Sequence, residues 1–167
     1  NAKVLAIDLS LSSLSYAERK TRELGFQNID YMQADILDLD KLNRKFDIIE
    51  SSGVLHHMDK PMAGWKILTD CLKPGGLMRI GLYSELARQH ILKIRKEIKL
   101  TGIGASTAAI KSFRSDLINS NEEHHKRTQS TIDFFSLSEL RDLLFHVQEH
   151  RFTIPQVKDC LSKLDLK

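Results

Sequence analysis

Short apolar runs alternate with helical patterns through the first half of this chain, and that alternation restricts the fold more than any single motif. Val4 to Ile7 is a continuous apolar run that stops at Asp8. Ile29 to Ala34 forms the next and stops at Asp35; Phe46 to Glu50 is the third and gives way to Ser51-Ser52-Gly53; Leu77 to Tyr83 is the fourth. Between them, Ser10 to Leu24 reads as a helix with serine caps and Gly25 as its stop. Asp38 to Arg44 reads as a short polar connection, and Pro61 opens a helix running to about Leu72. Lys73-Pro74-Gly75-Gly76 reads as a breaker. Runs apolar throughout suit strands buried on both faces. Their alternation with helices predicts a parallel, doubly wound α/β sheet.

After Tyr83 the grammar changes. Glu85 to Leu100 carries Ala87, Ile91, Ile94 and Ile98 at helical spacing. A second helix is predicted over Ser106 to Ile118, after a Gly-Ile-Gly break. Asn119 to Thr131 is polar and reads as a loop. Ser136 to His146 reads as a helix with a capping box, Ser136 and Glu139, and Pro155 to Leu164 as another. The expected organisation is a sheet region over 1–84 and a helical segment over 85–167. The second is read as an insertion or lid of the same domain without a core of its own.

The chain's 167 residues suffice for one domain. Its formal charge of +3 gives no clear nucleic-acid signature and no case for an anionic membrane. Apolar runs are shorter than the ~18 residues a membrane span needs, so no membrane role is expected. Two distant cysteines, Cys71 and Cys160, fit a reducing cytoplasm. Asn1 stands two residues before the first strand, and Lys167 directly follows a helical pattern. The sequence therefore reads as a stretch cut at both ends.

Strand ends of this kind open the crevice where doubly wound sheets bind ligands. Asp8 offers two acceptor oxygens that match the vicinal hydroxyls of a ribose, or else it caps the following helix. Asp35 beside Ile36 suits an amino-bearing ring covered by an apolar side chain, or else it is a turn acid. Ser51, Ser52 and Gly53 are small enough for a ligand to approach the backbone. His56 and His57 are candidate general bases. His146 to His150 matches H-x-x-E-H, an inverted zinc-protease signature, but no third ligand stands out. The Glu122-Glu123-His124-His125 run is read as polar loop, and no metal is expected. Arg88, Lys93, Arg95, Lys96 and Lys99 are read as a solvated face.

Asp8 after its strand, A-D-I at Ala34 to Ile36, F-D-I-I-E-S-S-G-V-L-H-H-M from Phe46 to Met58, and C-L-K-P-G-G-L from Cys71 to Leu77 occur in an order and at intervals that resemble the class I S-adenosylmethionine-dependent methyltransferases. The stretch Asp133 to Thr153 resembles bacterial members sometimes fused to tetratricopeptide repeats. The resemblance implies a Rossmann-like fold and S-adenosylmethionine as cofactor, with an unidentified methyl acceptor. It implies that Asp8 holds the ribose with Leu9 against the adenine. Asp35 and the Ile36 backbone would bind the adenine, and Ser51 and Ser52 would lie along the methionine portion. Val54, Leu55 and His57 would face or support the reaction centre, and Tyr83 would line the substrate side. The resemblance sets Asn1 just before the family's second strand, so the family's first strand and glycine-rich loop are not among these residues. The family sheet places that first strand between its second and fourth. The 167 residues alone are therefore expected to bind cofactor weakly or not at all.

Two other readings stay open on the residues alone. Asp8 also suits a nicotinamide dinucleotide oxidoreductase. The helical half also suits a non-catalytic module that binds a protein partner.

Overall fold

In the computed structural model, which describes residues 2–167, the predicted alternation is present. The strands are β1 (Val4–Asp8), β2 (Ile29–Gln33), β3 (Phe46–Ser52) and β4 (Leu72–Gly81). Among them lie α1 (Leu11–Glu23) and α2 (Pro61–Asp70), with short 3-10 turns at Ile36–Leu42 and Leu55–His57. Helices α3 (Gln89–Thr101), α4 (Thr107–Asn119), α5 (Glu123–Gln129), α6 (Leu137–Phe145) and α7 (Ile154–Lys163) follow. The chain divides into two units. One holds the residues up to Ser51 together with Lys60–Ile80; the other holds Ser52–Asp59 and Gly81–Lys167.

In the first unit β1 and β2 pair in parallel, with Val4 opposite Ile29 and Asp8 opposite Gln33. Ser10 caps α1, its hydroxyl accepting the Ser13 N–H at 3.2 Å. Gly25 follows the helix at φ +80°, a conformation glycine adopts without penalty. β3 and β4 form a second two-stranded sheet and run in the same direction. Phe46 N–H donates to Cys71 O at one end, and Gly53 N–H to Gly81 O at the other.

Here the predicted breaker is corrected. Lys73-Pro74-Gly75-Gly76 lies inside β4, not before it. Ten residues of β4 run beside seven of β3, so the excess must bulge. Gly75 takes φ +75°, and a Cβ on Gly76 would stand 2.9 Å from Asp47 O. Proline is tolerated at such a bulge.

Among the described residues β1 and β3 are not paired with each other. Leu5 and Ile7 of β1 and Phe46, Ile48 and Ile49 of β3 line an apolar groove of about 110 Å³, closed below by Leu39 and Leu68. Ile48 is 67% exposed. The unit's buried apolar side chains, among the described residues, are few: Leu14, Leu39, Ile49, Trp65, Leu68 and Cys71.

The second unit has a core of its own, which the sequence reading does not expect. Ile91, Ile94 and Ile98 of α3 meet Ile110, Phe113 and Leu117 of α4, with Leu140, Leu143 and Leu144 of α6 and Phe134 completing the cluster. Each helix contributes a stripe at three- and four-residue spacing, as helix-on-helix burial requires. Ser136 caps α6 as predicted, its hydroxyl facing Glu139 N–H at 3.5 Å. The full reciprocal box is instead at α7, between Thr153 and Gln156. The predicted polar loop is corrected too, since Glu123–Gln129 is helical.

Leu140 is fully buried at the meeting of these helices, whereas Leu100 on α3 is 77% exposed. Leu140→Ala is expected to cost about 2–5 kcal/mol in urea unfolding, and Leu100→Ala less than about 0.5 kcal/mol.

Candidate functional site

Asp8 and Asp35 stand at the carboxyl ends of adjacent parallel strands. Ala34 N–H donates to Asp8 O at 3.2 Å, and Gln33 Nε2 braces the turn by donating to Leu9 O at 2.9 Å. Each carboxylate also caps the turn after it. Asp8 Oδ1 accepts Ser10 N–H at 2.7 Å, and Asp35 Oδ1 accepts Leu37 N–H at 2.9 Å. The capping role and the ligand role are therefore compatible. One oxygen of each side chain orients the turn, and the other is uncommitted in the hydrogen bonds among the described residues. Leu9 is exposed and Ile36 half-buried. Ser51, near the end of β3, is buried, and its hydroxyl has no partner among the described residues. Buried hydroxyls in folded proteins are normally paired, and this one is an exception among the described residues.

In the second unit, Ser52 lies against Gly81, where any Cβ would collide with the serine side chain. Gly53 then turns at φ +80°, and the 3-10 turn sends Leu55 and His56 inward while His57 stays half-buried. The His56 ring stacks on Tyr83 at 3.6 Å between centroids. Both its ring nitrogens lack hydrogen bonds among the described residues. Burial, then the charges of His57 and Arg88, push its pKa down to about 4 against weaker opposition from the Gly81 backbone and Glu149. His56 is thus a neutral packing residue away from solvent.

His57 is placed differently. Its Nδ1 lies 3.0 Å from Gln148 O. A carbonyl only accepts, so Nδ1 carries the hydrogen and Nε2 is the basic nitrogen. The ring meets His146 at 4.0 Å and the edge of Tyr83 at 5.5 Å. These three line a cavity of about 320 Å³ whose remaining wall is Gly53, Leu143 and three acids, Asp133, Glu139 and Asp142. Of the two adjacent histidines, His57 lines this cavity and His56 does not. Val54 is exposed and Leu55 is fully buried, and neither lines this cavity.

The segment after α6 frames this cavity. His146 to His150 is not helical, so the two histidines of the H-x-x-E-H match do not share a helix face. Glu149 is held by arginines instead. Arg88 grips it with Nε and Nη2 at 3.1 and 2.7 Å, Arg95 Nη1 at 3.0 Å and Arg151 Nη1 at 3.4 Å. Arg95 also donates to His146 O, and Arg151 Nε to Glu85 at 2.9 Å. The Glu149 side chain is only 2% exposed. Burial alone would raise its carboxyl. Hydrogen bonds and charge from Arg88, with the charge of Arg95 and a hydrogen bond from Arg151, hold it below the usual range. Arg88 also lies over the Tyr83 ring at 3.5 Å, while burial pushes the Tyr83 phenol up.

The reading of the basic run as solvated is therefore corrected for Arg88 and Arg95, and holds for the exposed Lys93, Lys96 and Lys99. Arg151 and the three cavity acids are missed as site residues by sequence reasoning, which singles out His146 and Glu149 only within the zinc-type H-x-x-E-H match. Isolated charges far apart in the chain carry no spacing signal. No helix among the described residues is long and apolar enough to cross a membrane.

Residues 1–131 match the methyltransferase domain family. Over nearly its whole length the chain is similar in fold to PKMT2 from Rickettsia typhi, with a TM-score of 0.69 and 17% identity over 97% of this chain and 33% of that one. The same protein in complex with AdoHcy aligns over 96% with the same TM-score. An uncharacterized protein, syc1184_c of a Synechococcus strain, is 34% identical over 101 residues, which are 60% of this chain and 24% of that protein. The chain thus spans about a quarter to a third of the length of these relatives.

Two outcomes are expected from the buried charges. Glu149→Ala leaves three arginines around an empty site and is expected to cost about 3–5 kcal/mol in thermal or urea unfolding. For His56, the unfolded chain takes up a proton near pH 6.5 that the folded chain refuses until about pH 4. Its contribution is complete above pH 6.5 and is lost as pH falls towards 4, by on the order of 3 kcal/mol at most. His56→Phe, which keeps the stack on Tyr83, is expected to flatten unfolding free energy across that window.

Proposed function

We propose that this chain, which belongs to the methyltransferase domain family, takes part in the transfer of a methyl group from S-adenosylmethionine to an amine acceptor. Family membership favours this over the nicotinamide reading of Asp8. AdoHcy bound to the Rickettsia typhi relative supports the cofactor. The observation that carries the acceptor class is the cavity in which His57, its Nε2 left basic by the Gln148 carbonyl, shares walls with Asp133, Glu139 and Asp142.

The residues fit the cofactor. Asp8 and Asp35 each keep a carboxylate oxygen for a ribose diol and an adenine amino group, and the unpartnered Ser51 hydroxyl suits a polar ligand. In this reading Leu9 covers the adenine, the Ile36 backbone meets the ring, and Ser52 lies along the methionine portion. Residues 1–84 then supply the cofactor contacts and 85–167 the substrate side, to which Gly53, His57 and Tyr83 also contribute. A cytoplasmic setting fits the two free cysteines.

S-adenosylmethionine supplies a methyl on a positively charged sulfur, already a good leaving group. The protein's work is therefore alignment and proton handling. Three acids attract an alkylammonium, whose nitrogen has no lone pair until it loses a proton. His57 Nε2 accepts that proton. That would leave a lone pair free to take the methyl group that bound S-adenosylmethionine supplies, the C–S electron pair staying with the departing sulfur.

The test is AdoHcy release by the intact protein with primary amines and lysine-containing peptides. His57→Gln is expected to lower kcat by about 10²–10⁴ with cofactor affinity intact. Asp8→Ala is expected to weaken S-adenosylmethionine about 10–100-fold by calorimetry. Unchanged turnover in His57→Gln would remove the base role, and activity confined to acidic or neutral acceptors would overturn the amine assignment.

A further inference from the structure

We propose that Glu97, His124 and His125 form a binding site for one divalent cation of the zinc class, which clips α5 to α3. The three side chains lie outside the cavity described above and have no part in the proposed reaction. Glu97 projects from α3, and the histidines are neighbours on α5. Glu97 Oε1 is 2.6 Å from His124 Nε2, and Glu97 Oε2 is 2.7 Å from His125 Nε2. One donor atom from each of the three residues lies within 4.8 Å of the others.

The arrangement runs against local expectation. Successive side chains on a helix diverge by about 100°, so adjacent histidines rarely share a ligand. Here both rings turn to one carboxylate, with centroids 4.2 Å apart. The rings are mostly shielded, at 15% and 13% side-chain exposure. A carboxylate brings no hydrogen to these contacts. Each Nε2 must therefore present a proton to it, or a cation must sit among the three groups.

The donor set selects the cation. Two imidazoles and one carboxylate suit zinc, cobalt or nickel, whereas magnesium and calcium favour all-oxygen sites. Bond lengths of about 2.0–2.2 Å would require the present contacts to open by roughly half an ångström, within reach of small side-chain rotations on two packed helices. Ser120 Oγ lies 2.7 Å from His125 Nδ1. That is the partner a ligating histidine needs on its other ring nitrogen. Three protein ligands leave a fourth position for water.

The experiment titrates Co²⁺ into untagged, metal-stripped protein and records visible ligand-field absorption, then displaces it with Zn²⁺. We expect a tetrahedral-type band saturating at one equivalent, and a Tm that rises by several degrees when Zn²⁺ is added. Glu97→Gln and His125→Gln are each expected to weaken Co²⁺ by about 100-fold or more, and Ser120→Ala by about 10-fold. The wild-type spectrum decides between the outcomes even if a variant fails to fold. No band and no Tm shift in the wild type would mean that protons alone hold the clasp, and the proposal would fall. A band that survives in both folded variants would place the metal elsewhere and overturn it equally.

Discussion

The second unit is organised around one buried carboxylate. Glu149 sits where water cannot solvate it and is neutralised by Arg88, Arg95 and Arg151. Such a cluster contributes modest net stability, because desolvation consumes much of the Coulombic gain. Its value is positional. With Glu149 fixed, the Gln148 carbonyl is fixed, and so are the His57 tautomer and the orientation of its basic nitrogen. The same arginines tie down His146 O and cover the Tyr83 face. Neighbouring backbone bonds, from His150 N–H to His56 O and from Phe152 N–H to Tyr83 O, at 2.7 and 2.8 Å, extend that hold to the strand exit. The cavity is therefore set by charge pairing between residues far apart in the chain.

His56 and His57 show how little residue type decides by itself. They are adjacent and share a short turn. One ring is turned into the core against Tyr83 and loses its affinity for protons. The other meets a carbonyl and keeps one nitrogen basic in a polar cavity. The difference comes from the turn's geometry, imposed by Gly53 and the Ser52–Gly81 contact, and from the protein segment each ring encounters.

What the sequence makes legible is what depends on local order. The strand ends, the Ser10 and Ser136 caps, the Gly25 stop and the helical stripes of α3 and α4 are written in spacings of two to four residues. So are Asp8 and Asp35, whose positions are set by where an apolar run stops. What is not legible depends on distant partners. The polar run at Glu123–Gln129 becomes a helix because Thr128 is buried and both histidines find Glu97. Lys73-Pro74-Gly75-Gly76 looks like a turn until β3 runs beside it and absorbs it as a bulge. H-x-x-E-H looks like a metal motif until three arginines claim its glutamate.

The helical unit has a consequence for how its backbone meets solvent. It closes its backbone hydrogen bonds within helices and shields them with a contiguous core. Amide protons on the buried stripes of α3, α4 and α6 should therefore await large openings before they exchange, while those in the first and last turns of the same helices exchange by local fraying.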